Sequence, residues 1–310
     1  MGPVLANQPL NDVVTRSVTG IIFVATVALA CTLLSQYSTY LFVFFAAACL
    51  FEWAKMSGNT WDRYFFSFGY FGIFIIAILL VDFVQHSIEQ NFLLDFLRKW
   101  SDLSIYYGVI VVFAVLDVLV GTVLRRGQLA KLLLQAFVGL CIALAFLTAA
   151  ILSYQFSKLR GSSFDYLIYI FLIVWVADTA AYLGGSLIGG PKLAPAISPG
   201  KTWSGFISGV LAVGLVTAVL SAYGMFQIVD KYTAPKEIIA VGFAMSAAVA
   251  AQIGDLLQSK LKRLYNVKDS GSMLPGHGGF LDRLDSFIFL MLLVGIYIIS
   301  RSPEFFLENM

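Results

Sequence analysis

Charge is scarce in this sequence. Asp, Glu, Lys and Arg make up 12% of its 310 residues while 59% are hydrophobic, whereas a soluble domain is about a quarter charged. With half the usual charge, most of the surface cannot face water. That excludes the two soluble domains that length alone would allow, and the mean hydropathy of +0.86 agrees. The formal net charge of +2 is too small to point to a nucleic-acid partner. Cysteine is scarce as well. Cys31, Cys49 and Cys141 lie inside apolar runs at a spacing that fits neither a zinc site nor a disulfide framework. The sequence shows no internal repeat, no low-complexity linker and no stretch that reads as a separate soluble domain. Met1 to Thr19 lacks a cleavable signal pattern, because the first apolar run is long enough to span.

Long apolar runs dominate instead. A span needs about 20 mainly apolar residues to cross a hydrocarbon core about 30 Å thick. Runs of this kind fall at 18–35, 39–55, 64–84, 105–124, 129–153, 164–184, 205–223, 236–257 and 284–300. The expected fold is therefore all-α, a polytopic membrane bundle of about nine helices. With the N-terminus inside, 13 of the 20 Lys and Arg residues fall on the inner side and 7 on the outer. This bias predicts N-terminus in, C-terminus out, and both Gly-rich loops, 185–204 and 258–283, on the cytoplasmic side.

Three polar clusters mark the predicted inner ends of the last four spans. In the first, Trp175, Asp178 and Tyr182 are spaced to share one helix face, which runs into Gly184-Gly185. This fits an interfacial aromatic belt with a snorkelling acid as well as a site. The second is Ser198-Pro199-Gly200-Lys201-Thr202-Trp203-Ser204-Gly205. It ends like a Walker A loop, but Pro195 stands where that motif needs Gly, and a membrane helix precedes it. What remains is Ser198, Lys201 and Thr202 leading into a helix N-terminus. That suits either phosphate binding or a plain polar cap.

The third cluster runs from Gly254-Asp255 through Gln258-Ser259-Lys260, Lys262-Arg263 and Lys268-Asp269 to Pro275-Gly276-His277-Gly278-Gly279 and Asp282-Arg283-Leu284-Asp285. Asp255, Ser259 and Lys262 fall on one helical face, and Asp282 and Asp285 on one face of the next span. Carboxylates converging from two helices suit Mg²⁺, which takes one or two of them together with phosphate oxygens and water. Lys262, Arg263, Lys268 and Arg283 can neutralise phosphate charge. Pro275 to Gly279 has little side-chain bulk and lets backbone approach a ligand. A merely positive-inside loop would explain the basic residues but not the acids, His277 or the glycines.

The third cluster closely resembles the signature of phosphatidate cytidylyltransferases: S-x-hydrophobic-K-R, K-D, then P-G-H-G-G-x-x-D-R-x-D, met from Ser259 to Asp285. Trp175–Tyr182 and Ser198–Trp203 resemble the family's other two motifs, and Glu52-Trp53 adds a weak match. The motifs cover about a third of the chain. The family often has Glu at the positions of Ser204 and Gln258, and Lys at that of Gly200. The resemblance implies CTP and phosphatidate as substrates and CDP-diacylglycerol and pyrophosphate as products, for phospholipid biosynthesis. It implies Mg²⁺ on Asp255 and Asp282, with Asp178, Asp269 and Asp285 in support and a second cation compatible with so many acids. Lys268, Arg283 and His277 join Asp255 and Asp282 as candidate catalytic residues. Ser198, Lys201, Thr202, Lys262, Arg263, Gly276, Gly278 and Gly279 are candidates for holding substrate. Residues 1–163 then form an N-terminal transmembrane region and 164–310 the transmembrane catalytic region. The implied setting is a bacterial inner membrane, with the bilayer and a second copy of the chain as candidate partners.

Other readings stay open. A CTP-dependent lipid-alcohol kinase of the polyprenol type would use similar chemistry. A transporter would show broken helices in both halves, whereas the polar residues here crowd into one. Asp117, inside a span, suits a functional or a structural role equally. Asp82 and His86, one helical turn apart, show no third metal ligand.

Overall fold

The computed structural model describes residues 38–57, 72, 129–158, 163–223, 236–274 and 278–307. Its elements are α1 (Ser38–Ser57), α2 (Leu129–Lys158), α3 (Ser163–Ile188), β1 (Lys192–Ala194), β2 (Ser198–Thr202), α4 (Trp203–Ala222), α5 (Lys236–Leu264) and α6 (Leu281–Leu307). Each helix overlies one of the nine predicted spans. The spans at 18–35, 64–84 and 105–124 lie outside the described residues, as do Asp82, His86 and Asp117.

Two departures from the sequence reading matter for the site. The loop expected at 185–204 contains a short antiparallel hairpin, with Lys192 opposite Thr202 and Ala194 opposite Ser198. The helices flanking the last polar loop also run further than the predicted spans, α5 to Leu264 and α6 from Leu281, and Ser259, Lys262 and Asp282 are helical, as their reading on helical faces has it.

Apolar content explains why these segments are helices, and small residues explain how they pack. Ile168–Ile188, Trp203–Ala222 and Ala240–Leu264 are long and apolar enough to cross a membrane. On α4, the large side chains Trp203, Ile207, Leu211, Leu215 and Val219 recur every fourth residue and are exposed. The opposite face buries Gly205, Gly209, Val213 and Thr217. Apolar outside and small inside is the pattern of a lipid-facing helix, since backbone approach, not apolar burial, drives association in a bilayer. A Cβ at Gly209 would lie 2.7 Å from the Ala177 carbonyl of α3, so only glycine permits this crossing. Tyr169 Oη and Thr217 Oγ1, 2.8 Å apart, add a hydrogen bond between α3 and α4.

α6 packs against α5, α2, α1 and α3. Its Phe287 is the centre of the core, stacked on Phe171 at 4.6 Å and flanked by Phe42 and Phe146. The protein is thus a helical integral membrane protein whose described half-loops meet at one end of α5 and α6.

Candidate functional site

The end of α3 fixes the first part of the site. Gly189 and Gly190 follow Ile188 with φ of +68° and +104°, in the left-handed region that favours glycine at a helix C-terminus. They turn the chain into the hairpin. Thr202 then caps α4: its backbone is extended and its Oγ1 accepts from Gly205 N at 3.1 Å. Ser204 Oγ donates to Gly189 O and ties the hairpin base to the end of α3. The Thr202 hydroxyl predicted to meet substrate is therefore buried in a cap, while Ser198 and Gly200 lie further out on β2.

So anchored, β2 carries Lys201 to α5, where its Nζ lies 2.5 Å from Asp255 Oδ2. Ser259 Oγ donates to the other Asp255 oxygen at 3.4 Å. Asp178 is exposed on α3 and feels the charges of Asp255, Lys201 and Arg283. Asp285 feels Asp255, Lys262 and Asp178. Residues from four elements, placed in three separate clusters by sequence, therefore share one electrostatic neighbourhood. Lys192, opposite Thr202 on β1, is exposed.

The second part is the segment between α5 and α6. Lys262 Nζ lies 2.8 Å from Asp282 Oδ1, and both side chains are about nine-tenths buried, at 11% and 7% exposure. Asp282 Oδ2 accepts from Ser270 N at 2.8 Å and Gly279 N at 3.0 Å. Both oxygens of Asp282 are thus engaged by the protein, whereas Asp255 is about a quarter exposed. A Cβ at Gly278, whose φ is +84°, would lie 3.1 Å from Asp282 Oδ2. Lys268, Asp269, Arg263 and Arg283 are exposed around this frame. Gly276 and His277 lie outside the described residues.

One residue singled out in the sequence only as a weak family match meets this segment. Glu52, at the end of α1, is 1% exposed. Its Oε2 accepts from Ser270 Oγ at 3.1 Å and from Leu281 N at 2.9 Å. Among the described residues its other oxygen has no hydrogen-bond partner. Beside it Trp53 donates from Nε1 to Gln135 O at 2.9 Å and meets Tyr265 edge-on. The signal in the sequence was the weak Glu52-Trp53 match, which does not say what the acid touches.

Chemically, the arrangement offers clustered acids beside mobile-length cations. Among the described residues no three His, Cys, Asp or Glu side chains converge tightly enough to hold a metal by themselves. Mg²⁺ does not require that, since phosphate and water complete its shell. The mutual fields of Asp178, Asp255 and Asp285 are the kind that a divalent cation relieves, and Asp255 retains access to solvent.

The cytidylyltransferase family pattern matches residues 14–300. The chain is 45% identical to the phosphatidate cytidylyltransferase of Rickettsia bellii over 132 residues, 41% of this chain and 57% of that protein. It is 42% identical to that of Staphylococcus aureus over 145 residues, 47% of this chain and 53% of the relative. It thus spans a little over half the length of these relatives. Because the family pattern runs through α1 to α5 and well into α6, taking in the N-terminal helices as well as the polar loops, the chain belongs to the cytidylyltransferase family.

Proposed function

We propose that this protein transfers the cytidylyl group of CTP to phosphatidate, giving CDP-diacylglycerol and pyrophosphate. The observation that carries the reading is the Lys201–Asp255 contact. It draws a cation from the hairpin and an acid from α5 into one place, as a reaction between two polyanions needs. Phosphatidate already bears an anionic oxygen, so no strong general base is called for. That oxygen attacks the α-phosphorus in line, the bond to the β-phosphate breaks, and pyrophosphate departs with its charge. Positioning and charge neutralisation then make up most of the catalysis.

In this reading Asp255, with Asp178 and Asp285, would hold Mg²⁺, which supplies neutralising charge to the phosphates. Asp269, exposed beside Gly278, is a further candidate ligand. Lys201, Lys268, Arg263 and Arg283 contact phosphates, with His277 and Gly276 on the same loop. Lys262 and Asp282, joined to each other, hold that loop in shape. Purified protein given CTP, Mg²⁺ and phosphatidate is expected to release pyrophosphate, and a polyprenol in place of phosphatidate is expected to give none. Release of CDP with formation of a polyprenyl phosphate, and no pyrophosphate from phosphatidate, would favour the lipid-alcohol kinase instead.

The proposal extends to topology: nine spans, N-terminus in, C-terminus out, the site facing the cytoplasm of a bacterial inner membrane. Residues 164–310 carry the chemistry and 1–163 support it, and a second copy of the chain is a candidate partner. A cysteine replacing exposed Lys192 should react with an impermeant maleimide only from the cytoplasmic side, and one replacing Asn91 only from the other. Reaction of the Lys192→Cys protein from outside would invert the topology and put CTP on the wrong side.

A further inference from the structure

We infer that Glu52 is a positioning residue that holds residues 268–274 and 278–281, the two described ends of the proposed substrate-binding segment, to the N-terminal helix α1; the kinetic part of this rests on the function proposed above. Both hydrogen bonds of the buried Glu52 side chain reach residues 218 and 229 positions away, Ser270 Oγ and Leu281 N. Ser270 is held from two sides, since its backbone N–H goes to Asp282. Asp282 in turn holds Lys262. A continuous polar chain therefore links α1, the segment, α6 and α5.

The neighbouring glycines fit this carboxylate closely. A Cβ added at Gly271 would fall inside the contact radius of Glu52 Oε1, and one at Gly279 inside that of Oε2 and of Ser270 Oγ. Phe280 continues the contact, packing at 5.8 Å against both Phe44 and Phe45 of α1. Bonds of a buried carboxylate to backbone and hydroxyl donors are charge-assisted, and losing them leaves those donors unpaired. The segment so held carries Lys268 and Asp269 and leads into Arg283, so its loosening would displace phosphate-binding groups without removing any of them.

The test is amide hydrogen exchange on the full-length protein in detergent, paired with kinetics. Glu52→Ala should speed exchange in 268–274 and 278–281 by about tenfold or more while leaving α3 and α4 unchanged. Glu52→Gln keeps an acceptor oxygen for both donors and should restore exchange and kcat/KM to within about threefold of wild type. Gly271→Ala should reproduce the Glu52→Ala exchange pattern alone, yet add little in the Glu52→Ala background, where the obstructing carboxylate is gone. If Glu52→Ala does not accumulate, Ser270→Ala carries the same test by deleting only the hydroxyl contact. Unchanged exchange in the segment, a uniform rise over all helices, or additive effects of Gly271→Ala would overturn the inference. A wild-type protein without cytidylyl transfer would sink the proposed function, while the exchange results would still decide the role of Glu52.

Discussion

Asp255→Asn is expected to lower kcat/KM for cytidylyl transfer by about three orders of magnitude, equivalent to roughly 4 kcal/mol of transition-state stabilisation, while the protein still elutes as a folded species in detergent. The substitution preserves volume, and Asp255 is partly exposed beside Lys201 and Ser259, so packing has little to lose. The loss comes from removing a charge at the place where Mg²⁺ and two polyanions are proposed to meet. Asp282→Asn should also inactivate, but for a different reason. It breaks a pair about nine-tenths buried with Lys262 and weakens two backbone hydrogen bonds, and breaking a buried pair costs about 3–5 kcal/mol of stability. Thermal unfolding separates the two variants: Asp282→Asn should melt well below wild type and Asp255→Asn near it. Near wild-type activity in Asp255→Asn would remove that residue from the site.

Lys201→Ala against Lys192→Ala makes the second large contrast. Both lysines lie on the same hairpin, with Lys192 exposed on β1 and Lys201 reaching Asp255 from β2. A surface lysine contributes about 1 kcal/mol of attraction to anionic lipid, and salt screens it. A lysine contacting phosphate inside a partly dry site contributes more and is screened less. Lys201→Ala should therefore cost about a hundredfold in kcat/KM at both low and high salt. Lys192→Ala should cost about twofold at low salt and nothing measurable at high salt. Equal, mild and salt-sensitive losses in both would return Lys201 to the surface.

Much of the helical frame was legible because lipid imposes one requirement on every span, a long apolar run, and hydropathy reads it directly. All six described helices lie where such runs fall. The hairpin was not legible, since its strands are three and five residues long and Ser198-Pro199-Gly200-Lys201-Thr202 shows no apolar alternation. The identity of the polar residues was legible from spacing on helical faces; their partners were not. Lys262 and Asp282 were read as members of one polar cluster, but their pairing depends on how α5 and α6 meet. Glu52 was the hardest to see. A lone acid after an apolar run has the same local pattern whether it faces headgroups or a serine 218 residues away. Gly279, within Pro275 to Gly279, was read as room for backbone to approach a ligand, and part of that room is filled by the Glu52 carboxylate, which also lies against Gly271.

The transfer of a cytidylyl group is tested most directly by following two labels of CTP with wild-type protein, Mg²⁺ and phosphatidate. Label at the α-phosphorus should appear in the lipid extract, and label at the γ-phosphorus should appear only in water-soluble pyrophosphate. Label from the γ-phosphorus in the lipid, with none from the α-phosphorus, would mean phosphoryl transfer and would contradict the proposed reaction.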